Sequence, residues 1–326
     1  MATAEQLKAL LNSYAEGDEA RFFAVSMQVA AQAARKGHAR LADEIRALVD
    51  KAKQRLAEGS LSRPVPIARG TGELAGLLAA SYPKTRLSDM VLNPEIKDRL
   101  SRVISEYRQQ HKLRSRGLSA RRKLLLIGPP GSGKTMTASA LAGELNLPLL
   151  MIQLHAVITK FMGETAAKLR LVFDQMAKVR GVYFFDEFDA IGGNRDLPND
   201  VGEIRRVLNS FLQFIEQDDS DSLIIAATNH VGMLDRALFR RFDDVVQYES
   251  PTPQLARELI ENRLAAFGIN KIDWVQVIGT VDGLSYAELV RACEDAARRA
   301  VLEDADGVDT SSLLAALREK KRFQKF

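Results

Sequence analysis

Apolar positions change their period twice along the chain. From Thr3 to about residue 57 they recur at helical spacing: Leu7, Leu10, Leu11 and Tyr14, then Phe22, Val25, Met27 and Val29, then Leu41, Ile45, Leu48, Val49 and Leu56. Thr3 and Gln6 have the spacing of a capping box, and Gly17-Asp18 and Gly37 interrupt the pattern. This predicts three short helices in an antiparallel bundle over residues 1–58. Each is too short to persist alone in water, so mutual packing must hold them. Residues 59–84 carry Gly59, Pro64, Pro66, Gly70, Gly72, Gly76 and Pro83 and read as a linker. Within it Leu74, Leu77 and Leu78 suit a short docking helix or a contact with another surface.

Over residues 85–250 the apolar residues gather into short runs separated by helical patterns. The runs are Lys123–Ile127, Leu149–Leu154, Val182–Phe185, Leu223–Ala227 and Val245–Tyr248. They are rich in branched or aromatic residues and do not alternate with polar ones, as strands buried on both faces of a parallel sheet do not. Helices between such strands make an α/β domain. After Pro251 and Pro253 only helices are predicted, over Leu255–Phe267, Trp274–Ile278, Tyr286–Leu302 and Thr310–Lys320. They form a small all-helical domain over 251–326, with Ser285 and Thr310 as caps and Cys293 on an apolar stripe.

Charge changes this picture little. The 326 residues hold 46 Lys+Arg and 42 Asp+Glu, a net charge of +4 that forces no nucleic-acid reading. The cations are uneven, however. Arg108, His111, Lys112, Arg114, Arg116, Arg121, Arg122 and Lys123 crowd one stretch, and Lys320, Lys321, Arg322 and Lys325 end the chain. Such runs read as a solvated face or the rim of a phosphate site. A single cysteine excludes an internal disulfide. No apolar run approaches the roughly 18 residues of a membrane span, and no signal-peptide pattern opens the chain, so a cytoplasmic protein is expected.

The chemistry lies at the ends of the apolar runs. Gly128, Pro129, Pro130, Gly131, Ser132, Gly133, Lys134 and Thr135 match the phosphate-binding pattern G-x-x-x-x-G-K-S/T, between a strand and a helix that begins at Met136. The glycines let several N–H groups converge on one phosphate, and the helix N-terminus adds partial positive charge. Lys134 is placed to reach the β and γ phosphates of ATP, and Thr135 to offer a hydroxyl to Mg²⁺. Val182–Phe185 then delivers Asp186 and Glu187 to the sheet edge where open parallel sheets bind ligands. Asp186 is assigned to Mg²⁺, directly or through water, and Glu187 to the attacking water as general base. Leu223–Ala227 ends in Thr228-Asn229, where Asn229 is placed to sense the γ-phosphate and position water.

These motifs, with Phe161-Met162-Gly163-Glu164-Thr165 and the stretch from Leu234 to Asp243, stand in the order and spacing of the AAA family, which residues 85–305 resemble. Gly283-Leu284-Ser285-Tyr286-Ala287-Glu288-Leu289 looks like the start of that family's lid helix. The resemblance implies a P-loop parallel-sheet ATPase domain followed by a helical lid, and a ring or spiral of usually six subunits with ATP at their boundaries. Arg240 and Arg241 are then arginine fingers acting on the neighbouring subunit's nucleotide. Their adjacency looks like the branch of katanin, spastin and the vacuolar-sorting ATPase, whose members often carry a three-helix N-terminal bundle. Compact bacterial single-motor members are similar too, some of them working beside a protease. Ala287 aligns with the position of a lid sensor arginine in distant relatives, so no lid arginine contact is expected.

The same resemblance places Phe161, Met162 and Gly163 on a pore loop, where an aromatic and a flexible thioether grip an extended peptide without reading its sequence. Gly192 to Asp200 suits a second pore loop or an ordinary surface loop. The leading expectation is a homo-oligomer, a hexamer, that remodels, unfolds or disassembles a protein client recruited through the N-terminal bundle. The alternatives are a nucleotide-dependent regulator of a partner such as a protease and, less favoured, a nucleic-acid motor using the basic run. No DNA-binding module is recognisable.

Overall fold

The computed structural model describes residues 76–157, 162–188, 201–230, 232, 236–269 and 271–323, with 25–30, 33, 42–45 and 47–49 near the N-terminus. The chain divides into two compact units, Met1–Pro64 and Val65–Phe326. The described residues of the first are helical. There Ser26, Ala30 and Ala33, at helical spacing, are buried together with Ala42 and Val49. Met27 and Leu48, expected on the core side, are exposed instead.

In the second unit six strands form one sheet: β1 (Leu78–Ser81), β2 (Lys123–Ile127), β3 (Leu149–Ile152), β4 (Val182–Phe185), β5 (Leu223–Thr228) and β6 (Asp244–Gln247). Their order is β1-β3-β4-β5-β2-β6, parallel except that β1 runs antiparallel to β3. The strand β1 corrects the expectation of a short helix around Leu77 and Leu78. Leu78 lies opposite Ile152 and Ser81 opposite Leu149, so the segment closes the edge of the sheet. The third strand also stops at Ile152, because α4 (Leu154–Val157) follows at once. Among the described residues of this unit the other α-helices are α1 (Pro94–Arg108), α2 (Gln110–Arg114), α3 (Lys134–Leu145), α5 (Met162–Lys178), α6 (Val201–Gln217), α7 (Arg236–Phe239), α8 (Pro253–Leu264), α9 (Trp274–Val281), α10 (Tyr286–Leu302) and α11 (Thr310–Phe323).

Both faces of the sheet are covered, which is why its strands carry continuous apolar runs. On one face Leu125, Ile127, Tyr183, Phe185 and Ile224 pack against α5 and α6. Phe211 is the hub there, with ring centroids 5.1 Å from Phe185 and 4.6 Å from Phe188. Helix α3 lies over β3, β4 and β5, and α1 packs on α3. Tyr107, buried on α1, donates its hydroxyl to Asp221 O at 2.6 Å, and burial pushes its pKa up to about 12. The strand β2 sits one place in from the edge of the sheet, between β5 and β6, while its chain successor β3 lies on the far side of β4. That reversal is the crevice-forming switch point of an open α/β sheet.

The basic run is largely spent on holding this frame together. Arg108 pairs with Glu144, Arg114 with Asp221, Arg121 with Glu106 and Arg122 with Asp218. Lys123 is half-buried, donates to Ile215 O, and is held below the usual lysine range by that burial.

Helices α8 to α11 bury their own core, in which Leu259, Ile260, Val277, Leu289, Cys293, Leu313 and Leu317 take part. Cys293 is inert packing, its thiol pushed up to about 12 by burial. The capping expectation holds at Ser285, whose Oγ accepts from Glu288 N while the Glu288 carboxylate accepts from Ser285 N. It fails at Thr310. Asp309 accepts from Ser312 N at 2.9 Å, and Thr310 Oγ1 instead accepts from Asp273 N and donates to Lys271 O, bracing α9 against α11. No helix among the described residues is long and apolar enough to cross a membrane.

Candidate active site

The C-terminal ends of β2, β4 and β5 bring the sequence motifs into one place. Gly128 N donates to Thr228 O at 3.2 Å and Phe188 N to Ala227 O at 2.8 Å, so the segments leaving β2 and β4 are both tied to β5. Residues 130–136 line a pocket of about 560 Å³ together with Asp186, Glu187 and Asn229. Gly128 and Pro129 contribute through their carbonyls. The Lys134 ammonium, only 6% exposed, donates to Gly128 O at 2.8 Å, Pro129 O at 2.9 Å and Asn229 Oδ1 at 2.8 Å. Its three donors are thus aimed by oxygen acceptors from two motifs that lie far apart in the sequence.

The loop owes its shape to glycine at defined points. Gly131 has φ +73°, and a Cβ there would stand 2.9 Å from Ser285 Oγ and 3.0 Å from Ala287 Cβ. A Cβ on Gly128 would stand 2.6 Å from Tyr248 O. Tyr248 in turn shares a buried 2.7 Å hydrogen bond with Thr137 of α3, and burial raises its phenol far above the usual range. The loop is therefore clasped on one side by the end of β6 and on the other by the start of α10.

Thr135 Oγ1 donates to Asp186 Oδ2 at 3.0 Å, so the two residues assigned to Mg²⁺ meet. Asp186 Oδ1 accepts from Glu187 N at 2.9 Å, which fixes the carboxylate. Glu187 itself has φ +50°, an uncommon backbone for a non-glycine residue, and its side chain is exposed in the pocket wall. A hydroxyl and a carboxylate oxygen side by side are the hard donors that Mg²⁺ takes alongside phosphate oxygens.

Arg240 and Arg241 do not line this pocket. Arg240 is exposed on the turn after α7, and makes no hydrogen bond or ion pair with the described residues. Arg241 is half-buried, with Nε 2.6 Å from Glu216 Oε1 at the end of α6. Phe161 and the segment Gly192 to Asp200 lie outside the described residues. Met162 and Gly163, expected on a loop, open helix α5 instead.

The opposite wall of the pocket is one the sequence did not announce. It is formed by Met90 and Val91 ahead of α1, Leu259 and Arg263 of α8, and Tyr286 and Val290 of α10. Ala287, given no part from its sequence position, donates its backbone N–H to Gly131 O at 3.1 Å and so joins the lid to the P-loop.

The family profile described as "ATPase family associated with various cellular activities (AAA)" matches residues 124–250. An uncharacterized AAA family ATPase, y4kL, of Sinorhizobium fredii (strain NBRC 101917 / NGR234) is 32% identical over 324 residues, covering 99% of this chain and 96% of that one. The chain belongs to the AAA family of ATPases. Its enzymatic activity is ATP hydrolysis. The ATP-dependent zinc metalloprotease FtsH of Helicobacter felis is 31% identical over 238 residues, or 70% of this chain and 37% of FtsH. The same metalloprotease of Rickettsia felis is 33% identical over 233 residues, or 68% and 36%. This AAA chain thus spans well under half the length of those relatives. The crystal structure of the FIGL-1 AAA domain superposes with a TM-score of 0.59 at 21% identity, covering 74% of this chain and 85% of that one, which shows the shared fold.

Proposed function

We propose that this AAA ATPase binds ATP with Mg²⁺ between its sheet edge and its helical lid, hydrolyses it at a boundary between identical subunits, and spends the energy on remodelling a protein client. The observation that carries the reading is a division of the catalytic set. Lys134, Thr135, Asp186, Glu187 and Asn229 share one pocket, while Arg240 and Arg241 stand outside it. Lys134 exchanges amide and carbonyl oxygens for charged phosphate oxygens, which are the stronger partners. Thr135 and Asp186 hold the Mg²⁺ ion. When bound, that ion supplies Lewis-acid neutralisation of phosphate charge.

Glu187 takes the proton of the water that attacks the γ-phosphorus as the bond to the ADP oxygen breaks, and Asn229 orients that water. Arg240 and Arg241 of the adjoining subunit stabilise the charge that develops on the γ-phosphoryl oxygens. A hexameric ring fits this sharing. The N-terminal unit serves as the recruiting module, and the segment around Phe161 as the grip on the client. The nucleic-acid reading is less favoured, since Arg108, Arg114, Arg121 and Arg122 of the basic run pair with carboxylates within the fold. A second reading, a nucleotide-dependent partner of a separate protease, draws on the relatives named as ATP-dependent metalloproteases.

The test mixes two inactive variants. Arg240→Ala is expected to bind ATP and hydrolyse it roughly 10³-fold or more slowly. Lys134→Ala is expected to lose tight ATP binding. Co-assembled at several ratios, the pair should recover activity, because each supplies what the other lacks at a shared boundary. Mixtures that never exceed the separate variants would rule out a shared site.

A further inference from the structure

Two cavities meet behind the P-loop. One is the nucleotide pocket of about 560 Å³. The other, about 400 Å³, lies under the turn that carries the chain from β6 into α8, between the end of β6, Asn93 and Arg99 of the α1 region, and Thr252 and Leu255 of α8. Leu92, Ser132 and Tyr286 line both cavities and are therefore the partition between them. Ser132 is small and buried within the P-loop, and Leu92 sits on the short segment before α1. Tyr286 is the one large planar side chain of the three. It is half-buried against the lid core and opens α10. Its backbone is fixed on both sides, by the Ser285 cap and by the bond from Ala287 N to Gly131 O.

The direction of the nucleotide follows from chemistry. Lys134, Thr135 and Asp186 define the phosphate end of the pocket. At its other end Met90, Val91, Leu259 and Val290 offer apolar surface among the charged Asp89, Arg263, Arg291 and Glu294, a mixture that suits a purine, whose faces are weakly polar and whose edges carry donors and acceptors. Tyr286 stands at this end.

We propose that Tyr286 sets the size of base the enzyme accepts, by walling the base end of the nucleotide pocket off from the cavity under the lid hinge. The inference rests on the nucleotide reading above and adds a specificity determinant to it. Removing the ring joins the two cavities. A purine carrying an extra ring or alkyl group then finds room where the wild-type wall excludes it. The ring of a tyrosine is rigid and costs little entropy to hold, so it serves as a fixed stop for the base.

The experiment compares ATP with ATP analogues enlarged at N6, C2 or C8, such as N6-benzyl-ATP. The readout is the ratio of analogue to ATP turnover within each variant, so a general loss of activity cancels. Wild-type enzyme is expected to use the enlarged analogues about tenfold or more worse than ATP, the scale on which pockets reject one surplus group. Tyr286→Ala is expected to raise the ratio about tenfold for at least one analogue, and Tyr286→Phe to leave it at the wild-type value. Should the alanine variant not fold, Tyr286→Leu decides by the same ratio. Wild-type turnover of ATP with no analogue gained by any folded variant overturns the inference alone, as does a wild-type enzyme that accepts the analogues freely. A wild-type protein that turns over no ATP removes the nucleotide reading first and this inference with it.

Discussion

The two ends of the nucleotide pocket are built on different principles. The phosphate end is assembled from the tips of three neighbouring strands, locked to one another by backbone hydrogen bonds and by Lys134, whose ammonium touches two of the motifs at once. The base end is assembled from three elements, the segment before α1 and helices α8 and α10, which meet only because the lid docks on the sheet domain. Among the described residues, Ala287 N to Gly131 O is the direct backbone bond between lid and P-loop. One end is therefore rigid and polar by construction. The other mixes apolar and charged side chains drawn from the lid and from the segment before α1.

The largest expected effect breaks the rigid end outright. Lys134→Ala removes the buried cation and leaves its oxygen partners facing one another. Truncating one partner of a buried, hydrogen-bonded charge costs about 2–5 kcal/mol, and every 1.4 kcal/mol is about tenfold in affinity. Titration with a fluorescent ATP analogue should show a weakening of about thirtyfold or more. Affinity unchanged from wild type would mean that this end does not carry the binding energy.

Next comes Glu187→Gln, which leaves both ends in place and stops the step between them. The amide keeps the shape and cannot take a proton. Turnover should fall by about 10²–10⁴-fold with ATP affinity near wild type, and ATP-loaded assemblies should accumulate in light scattering. Steady-state phosphate release at the wild-type rate would remove Glu187 from the proton-transfer role.

Gly131→Ala strikes the seam between the ends. The new Cβ meets Ser285 Oγ at 2.9 Å in a backbone of φ +73°. Holding alanine in the left-handed region costs about 1–2 kcal/mol, or about five- to thirtyfold in ATP affinity if the lid must lift to relieve it. Hydrogen exchange at the Ala287 amide, which donates to Gly131 O, should quicken in this variant. A protected Ala287 amide together with weak binding would place the damage in the loop alone.

The smallest effect concerns the brace behind the rigid end. Arg121, just before β2, chelates Glu106 of α1, with Nε 3.1 and 3.0 Å from the two carboxylate oxygens. The hydrogen bonds from Arg121 hold the Glu106 carboxyl below its ordinary 4.5. A carboxyl lowered by folding adds stability above its unfolded value and loses it as pH falls through the folded one. Glu106→Gln should therefore be less stable than wild type at neutral pH, by an amount that shrinks as pH drops below 4.5. A difference in urea midpoint that stays constant down to the acid limit would show the brace to be electrostatically silent.

How much of this the sequence carried follows the same division. The phosphate end was legible because its residues are either consecutive, as in residues 128–136, or sit at the end of a recognisable apolar run, as Asp186 and Asn229 do. Each run names its strand, and a parallel sheet gathers strand ends. The base end left no such trace. Leu259, Val290 and Met90 look like any core residue of an amphipathic helix or an apolar turn, and only the docking of two bodies assigns them to a ligand. The same limit hid the pairing of Arg241 with Glu216, which are remote from the motif grammar. The strand β1 was missed for a local reason. Leu78 to Ser81 is short, alanine-rich and flanked by Gly76 and Pro83, so its composition reads as a turn-rich connection. Its identity as a strand comes from the free edge of β3.

That small edge strand is also placed to resist a pull in shear. The strand β1 is the first described element of the second unit, which follows the first 64 residues in the chain. A pull along the strand axis strains the ladder from Leu78–Ile152 to Ser81–Leu149 in shear, all its bonds at once, and not one at a time as in peeling. The strand that receives the strain, β3, is followed within two residues by α4 and then by the segment around Phe161. The edge strand β1 and the chain that leaves β3 toward α4 thus share one ladder of four residue pairs.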